Sequence, residues 1–129
     1  MIVLDASVLI AHLDGTDAHH GRARNLLLDA AAEELAVSSV TLAEVLVAPA
    51  RSGRLDQAAL ALQRLGVRSV PLPADSPVRL ATLRAGTGLM MPDCCVLLTT
   101  EQVGAAALAT FDEQLAAAGR DRGHVVLGA

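Results

Sequence analysis

The stretch that most constrains the fold is the first one, Met1-Ile-Val-Leu-Asp-Ala-Ser-Val-Leu-Ile10. Ile2, Val3 and Leu4 form a short apolar run without alternating polar positions. Such a run suits a strand buried on both faces, as in the middle of a parallel sheet. Asp5 ends it, and Ala6–Leu13 then has helical spacing. An acid between a central strand and the next helix lies at the carboxyl edge of the sheet, where open α/β folds bind their ligands.

The rest of the chain repeats this alternation. Asp14-Gly15-Thr16 reads as a turn, and Thr16 or Asp17 as the cap of a helix from about Ala18 to Ala32. Leu35–Val37 is a second short strand. Ser38 and Ser39 open a helix that is expected to stop at about Ala48, before Pro49 and Gly53. Leu55, Ala58, Ala59, Leu62 and Leu65 share one helical face, and Gly66 ends that helix. Val67–Leu72 alternates and is partly β-branched, which predicts an edge strand. Asp75-Ser76-Pro77 starts a helix to about Ala85, and Pro92-Asp93 starts another. Ala105–Ala109 reads as a strand, Asp112–Ala118 as a short helix and His124–Leu127 as a last strand. Strands alternating with helices in one short chain predict an α/β fold, with a doubly wound parallel sheet, in a single domain over residues 1–129.

Composition removes several functions. The chain has no Lys, which argues against a P-loop, a Schiff-base enzyme or a phosphoacceptor domain. With no Trp, no Tyr and one Phe it has little material for stacking single-stranded bases. The net charge of −4 has the wrong sign for bulk attraction of nucleic acid. Cys94 and Cys95 are adjacent, which suits neither a mutual disulfide nor zinc, and reads as two buried thiols in a reducing compartment. No apolar run approaches membrane-spanning length, so a cytoplasmic protein that does not engage a membrane is expected.

Asp5, Glu44, Asp93 and Asp112 each fall within the first turn of a predicted helix. Each has an ordinary explanation. Thr41-Leu-Ala-Glu44 and Thr110-Phe-Asp-Glu113 match capping boxes, Pro92-Asp93 is common helix-start chemistry, and Asp5 suits an N-cap. In a parallel sheet, however, all these helix starts share one edge. Carboxylates crowded there must be offset by protons or a cation. Hard oxygen ligands without His or Cys suit Mg²⁺ or Mn²⁺, which activates water and stabilises a phosphate under attack. Ser7 and Thr110 add hydroxyls that either orient a carboxylate or cap a helix.

Asp5-Ala-Ser7 after an opening strand resembles the start of PIN domains, as do Glu44 in Thr-Leu-Ala-Glu-Val, Asp93 in Met-Pro-Asp and Thr110-Phe-Asp112. Their order and spacing resemble the VapC toxins of bacterial toxin–antitoxin pairs over the whole chain. The resemblance implies a PIN-like three-layer fold, with a mostly parallel sheet of four or five strands and helices on both faces. It also implies a Mg²⁺- or Mn²⁺-dependent endoribonuclease, a homodimer restrained by a VapB-type antitoxin. Asp5, Asp93 and Asp112 would bind metal, Glu44 would complete the catalytic set, and cleavage would leave a 5′-phosphate and a 3′-hydroxyl. Cys94-Cys95 depart from the small residues common after the third acid.

Two other readings compete. One is a PIN-like binding module without catalysis, although all four acids are present. The other is a phosphatase or nuclease of a different family. A haloacid-dehalogenase-like phosphatase would need an acid where Ser7 stands, and the missing Lys. His19 and His20 read either as RNA contacts or as helix-start residues. His12 and His124 read as structural, and Met90-Met91 as core or dimer packing.

Overall fold

The five apolar runs all become strands, and every neighbouring pair is parallel. In the computed structural model, which describes residues 1–129, they are β1 (Ile2–Leu4), β2 (Leu35–Ser38), β3 (Val67–Val70), β4 (Ala107–Ala109) and β5 (Val126–Leu127). Their order across the sheet is β3-β2-β1-β4-β5, so β1 is central and β3 lies at an edge, as its alternation predicts. Ile2 of β1 is level with Leu35 on one side and Ala107 on the other. β3 is shorter than expected because Pro71 has no N–H to give to the ladder.

Seven helices cover the sheet: α1 (Ala6–Leu13), α2 (His20–Asp29), α3 (Ser39–Arg51), α4 (Leu55–Leu65), α5 (Ser76–Thr87), α6 (Met91–Gln102) and α7 (Glu113–Asp121). Period-two alternation along the strands divides the core in two. Ile2, Leu4, Leu35, Val37, Ala107 and Ala109 pack on Val8, Leu27, Val45 and Leu62 of α1 to α4. Val3, Ala36 and Leu108 pack on the opposite face against Leu80, Leu97 and Leu115 of α5, α6 and α7. The result is the three-layer α/β architecture expected of the chain.

α6 is buried along Cys94–Thr100, without a polar face. A helix apolar on all sides belongs in an interior. Cys94 and Cys95 are accordingly buried, unpaired thiols, and burial pushes both thiols up from their ordinary pKa. No helix is long and apolar enough to cross a membrane.

Several boundaries differ from expectation. α3 does not stop before Pro49 but continues to Arg51. Pro49 falls in the last turn, where few later bonds depend on it, and its carbonyl accepts the Arg54 N–H at 2.8 Å. α2 begins at His20, and its N-cap is His19 rather than Thr16 or Asp17. Asp14 accepts the Thr16 N–H at 2.9 Å and Asp17 the His19 N–H at 2.8 Å. These local side-chain turns hold residues 14–19 out of the helix.

Candidate active site at the switch point of the sheet

From β1 the chain runs outward through β2 to β3, then returns across the sheet to β4 and β5. The strand order therefore reverses between β1 and β4, and a crevice opens at their carboxyl ends. Asp5 directly follows β1, and Thr110, Phe111 and Asp112 directly follow β4. The topology alone brings these two segments together.

Asp5 occupies the N-cap position of α1, yet its side chain makes no capping bond. It is 6% exposed and accepts two hydroxyl donors on one oxygen. Ser7 Oγ donates to Asp5 Oδ2 at 2.8 Å, and Thr110 Oγ1 donates to the same atom at 2.8 Å. Oδ1 remains the oxygen available to another ligand. The capping explanation therefore fails for Asp5, and both hydroxyls act on the acid. Thr110 does not begin a capping box either. It accepts the Asp112 N–H at 2.9 Å, while Asp112 Oδ1 caps α7 by accepting the Leu115 N–H at 2.9 Å. One Asp112 oxygen is thus structural and the other is left for chemistry.

Asp93 enters from the first turn of α6, after Pro92. Its pKa is pushed up to about 6, first by burial and then by the negative charges of Asp5, Asp112 and Glu44. Glu44 is also raised, by burial and then by Asp5. Asp93 therefore sits in the field of the other three acids, and Glu44 in that of Asp5. Glu44 reaches it from farther along α3 than its sequence context suggests, since the first turn of that helix holds no acid. The Thr41 hydroxyl, read above as the start of a capping box, is instead buried without a hydrogen-bond partner.

No three His, Cys, Asp or Glu side chains form a ready-made metal cage. The donor chemistry nevertheless fits a hard divalent cation. All four groups are carboxylates, at least two retain an oxygen free of hydrogen bonds, and their mutual repulsion favours a bound positive charge. Mg²⁺ in particular keeps several waters and needs only one or two carboxylates, so an open acidic cleft suits it better than a closed cage.

Next to Asp112 in the chain begins a group of which the sequence pointed only to His19. Phe111 carries the Arg22 guanidinium carbon 4.7 Å from its ring centroid, and its ring centroid is 5.1 Å from that of His19. Arg22 also donates to the Gly128 carbonyl. Gly128 has φ +96° and lies so near that an added Cβ would meet the Thr110 carbonyl at 2.7 Å. His20, by contrast, directs Nδ1 to the Ala11 carbonyl at 2.7 Å and ties α2 to α1. A lone Phe between Thr110 and Asp112 was the available signal, but its partners come from distant segments.

The sequence profile of the PIN domain matches residues 2–121. The chain belongs to the PIN-domain family. By sequence it matches no curated protein significantly. By structure this PIN domain is similar to VapC20 of Mycobacterium tuberculosis, a sarcin-ricin loop cleaving toxin (TM-score 0.74, 24% identity, 92% of this chain and 95% of that one). It also resembles a chain of a toxin–antitoxin complex from Klebsiella pneumoniae (TM-score 0.70, 23% identity, 87% of each chain). A third similar fold occurs in VapBC2 of Rickettsia felis bound to a promoter DNA fragment (TM-score 0.72, 18% identity, 98% and 97% covered).

Proposed function

We propose that this PIN domain is a divalent-metal-dependent endoribonuclease, the toxin of a VapBC-type pair. The observation that carries the reading is the convergence of Asp5, Glu44, Asp93 and Asp112 at the β1/β4 switch point, where Asp93 is raised to about 6 by burial and by the other three acids. Asp5, Asp93 and Asp112 are the residues that would hold Mg²⁺ or Mn²⁺. When bound, the cation lowers the pKa of a water and offsets charge on the scissile phosphate. Asp5 is aimed by Ser7 and Thr110, which fix its Oδ2 and leave Oδ1 for ligation. Asp112 is held by its cap on α7. Glu44, less buried than Asp5, completes the acidic pocket and takes a proton from the attacking water. The strand break yields a 5′-phosphate and a 3′-hydroxyl, and the RNA 2′-hydroxyl is not needed as the nucleophile.

The proposal includes a VapB-type antitoxin. A groove of about 590 Å³ begins at Glu44 and is lined by Ile10, Leu13, Val45, Pro49 and Ala58. An amphipathic partner segment lying there would end at the acids and close access to them. It also includes a homodimer, supported by Met90 and Met91, which are exposed rather than in the core.

The test is induced expression of the intact chain beside Asp93→Asn, with the cellular RNA examined for new 5′-phosphate ends. Growth arrest and new ends with the intact chain alone are expected. Equal behaviour of the two chains, both folded, would overturn the reading.

A further inference from the structure

The acidic cleft of a protein with net charge −4 repels the polyanion it is proposed to cut. Beyond the cation proposed at the acids, substrate binding is helped by further positive charge and N–H donors, and the structure holds a pre-arranged Arg–His pair. Phe111 stands between Thr110 and Asp112, and its N–H donates to Ser7 Oγ at 3.0 Å, the same hydroxyl that bonds Asp5. The ring is thereby fixed relative to the acids. It is already covered by Arg22 at 4.7 Å and His19 at 5.1 Å, and Gly128 is so close that a Cβ there would meet the ring at 3.1 Å. A ring so covered is a support, not a platform for a base. What it supports are two exposed polar heads.

Their hydrogen bonds fix what those heads present. Arg22 anchors one nitrogen on the Gly128 carbonyl, and its other terminal nitrogen is 3.1 Å from His19 Nδ1. A guanidinium only donates, so Nδ1 accepts, and the proton of the neutral imidazole is on Nε2. His19 and Arg22 together offer oriented N–H donors and one fixed positive charge on the ring that stands between Thr110 and Asp112 in the chain. Such an arrangement matches the oxygens of a phosphodiester.

Resting on the nuclease reading, we infer that His19 and Arg22, braced on Phe111, bind the RNA backbone phosphate next to the one that is cleaved. Phe111 is the positioning residue of this site, and His19 and Arg22 are its contact residues. The acids define where the strand is cut, and this pair holds the strand in register with them.

Binding is measured by fluorescence anisotropy with a short single-stranded RNA pool of randomised sequence, in Mg²⁺, on the full chain carrying Asp93→Asn to prevent cutting. Cleavage is measured on the chain with Asp93 intact. Arg22→Ala is expected to weaken binding about five- to tenfold and to reduce the slope of log Kd against log salt by about 0.7, the loss of one phosphate contact on a single strand. In cleavage the change appears in KM rather than kcat. Arg22→Lys restores the slope but only part of the affinity, because the planar fork is lost. His19→Ala and Phe111→Leu weaken binding in the same assay. An unchanged salt slope and KM in Arg22→Ala, with cleavage intact, would overturn this inference and leave the nuclease reading standing. RNA binding that depends on Arg22 in a chain that never cleaves would overturn the nuclease reading and keep the phosphate site. A chain that neither binds nor cleaves the pool overturns both.

Discussion

At the scale of single residues, Thr110 is the pivot of the site. Its hydroxyl donates to Asp5 Oδ2 at 2.8 Å and accepts the Asp112 N–H at 2.9 Å, and the side chain is fully buried. One hydroxyl thus sets the position of two acids from two strands. Thr110→Val keeps the volume and removes both bonds, leaving a buried carboxylate with one donor fewer. We expect a loss of about 2 kcal/mol in stability, read from the urea midpoint, because a bond to a buried charged group is broken. Cleavage should fall about tenfold or more, the usual cost of removing the group that orients a ligand. Ser7→Ala should cost less, since Thr110 still holds Asp5. A Thr110→Val chain with parental activity would show that Asp5 needs no aiming.

At the scale of elements, the strands and most helices were legible because their apolar spacing is local. β1 is an uninterrupted apolar run, and α4 repeats Leu and Ala on one face up to Gly66, whose φ of +80° ends it. Elements whose limits depend on tertiary contacts were less legible, such as α3 beyond Pro49. Asp5, Asp93 and Asp112 could be read because each stands at a strand end or helix start, and the parallel sheet gathers those places, whereas Glu44 lies beyond the first turn of α3. The trio of His19, Arg22 and Phe111 could not, because its members meet only when β4 pairs with β1 and brings Phe111 against the start of α2. α6 illustrates how an element positions the site. It packs on β1 and β2, buries Leu97 completely and delivers Asp93 from its first turn. Leu97→Ala should therefore cost about 2–5 kcal/mol, seen as a lower urea midpoint with an unchanged slope. A cost below about 1 kcal/mol would mean that the core around α6 collapses onto the gap.

At the scale of the whole molecule, the acidic cleft links protons, cations and folding. Asp93 titrates at about 6 in the folded chain against an ordinary 3.8, through burial and then its acidic neighbours. Between these pH values the folded state holds a proton that the unfolded state has lost, so stability falls as pH rises through this window and stays lower above it. Asp93 is only half-buried, so solvent screening reduces the penalty to about 1–2 kcal/mol. Asp93→Asn removes the charge and should raise the Tm in chelator at pH 8 by about 3–6 °C, while having little effect at pH 4. On the proposed reading Mg²⁺ binds the ionised cleft of the folded state and not the unfolded chain, and it should then stabilise the parent at pH 8 more than at pH 5. In Asp93→Asn that stabilisation should shrink, because a ligand and its repulsion are both gone. Thermal melts of the two chains at pH 4, 5 and 8, in chelator and in Mg²⁺, measure the whole cycle. If the parent and the variant differ equally at every pH, Asp93 does not carry the proton, and the crowding of charge at the switch point must fall on another acid.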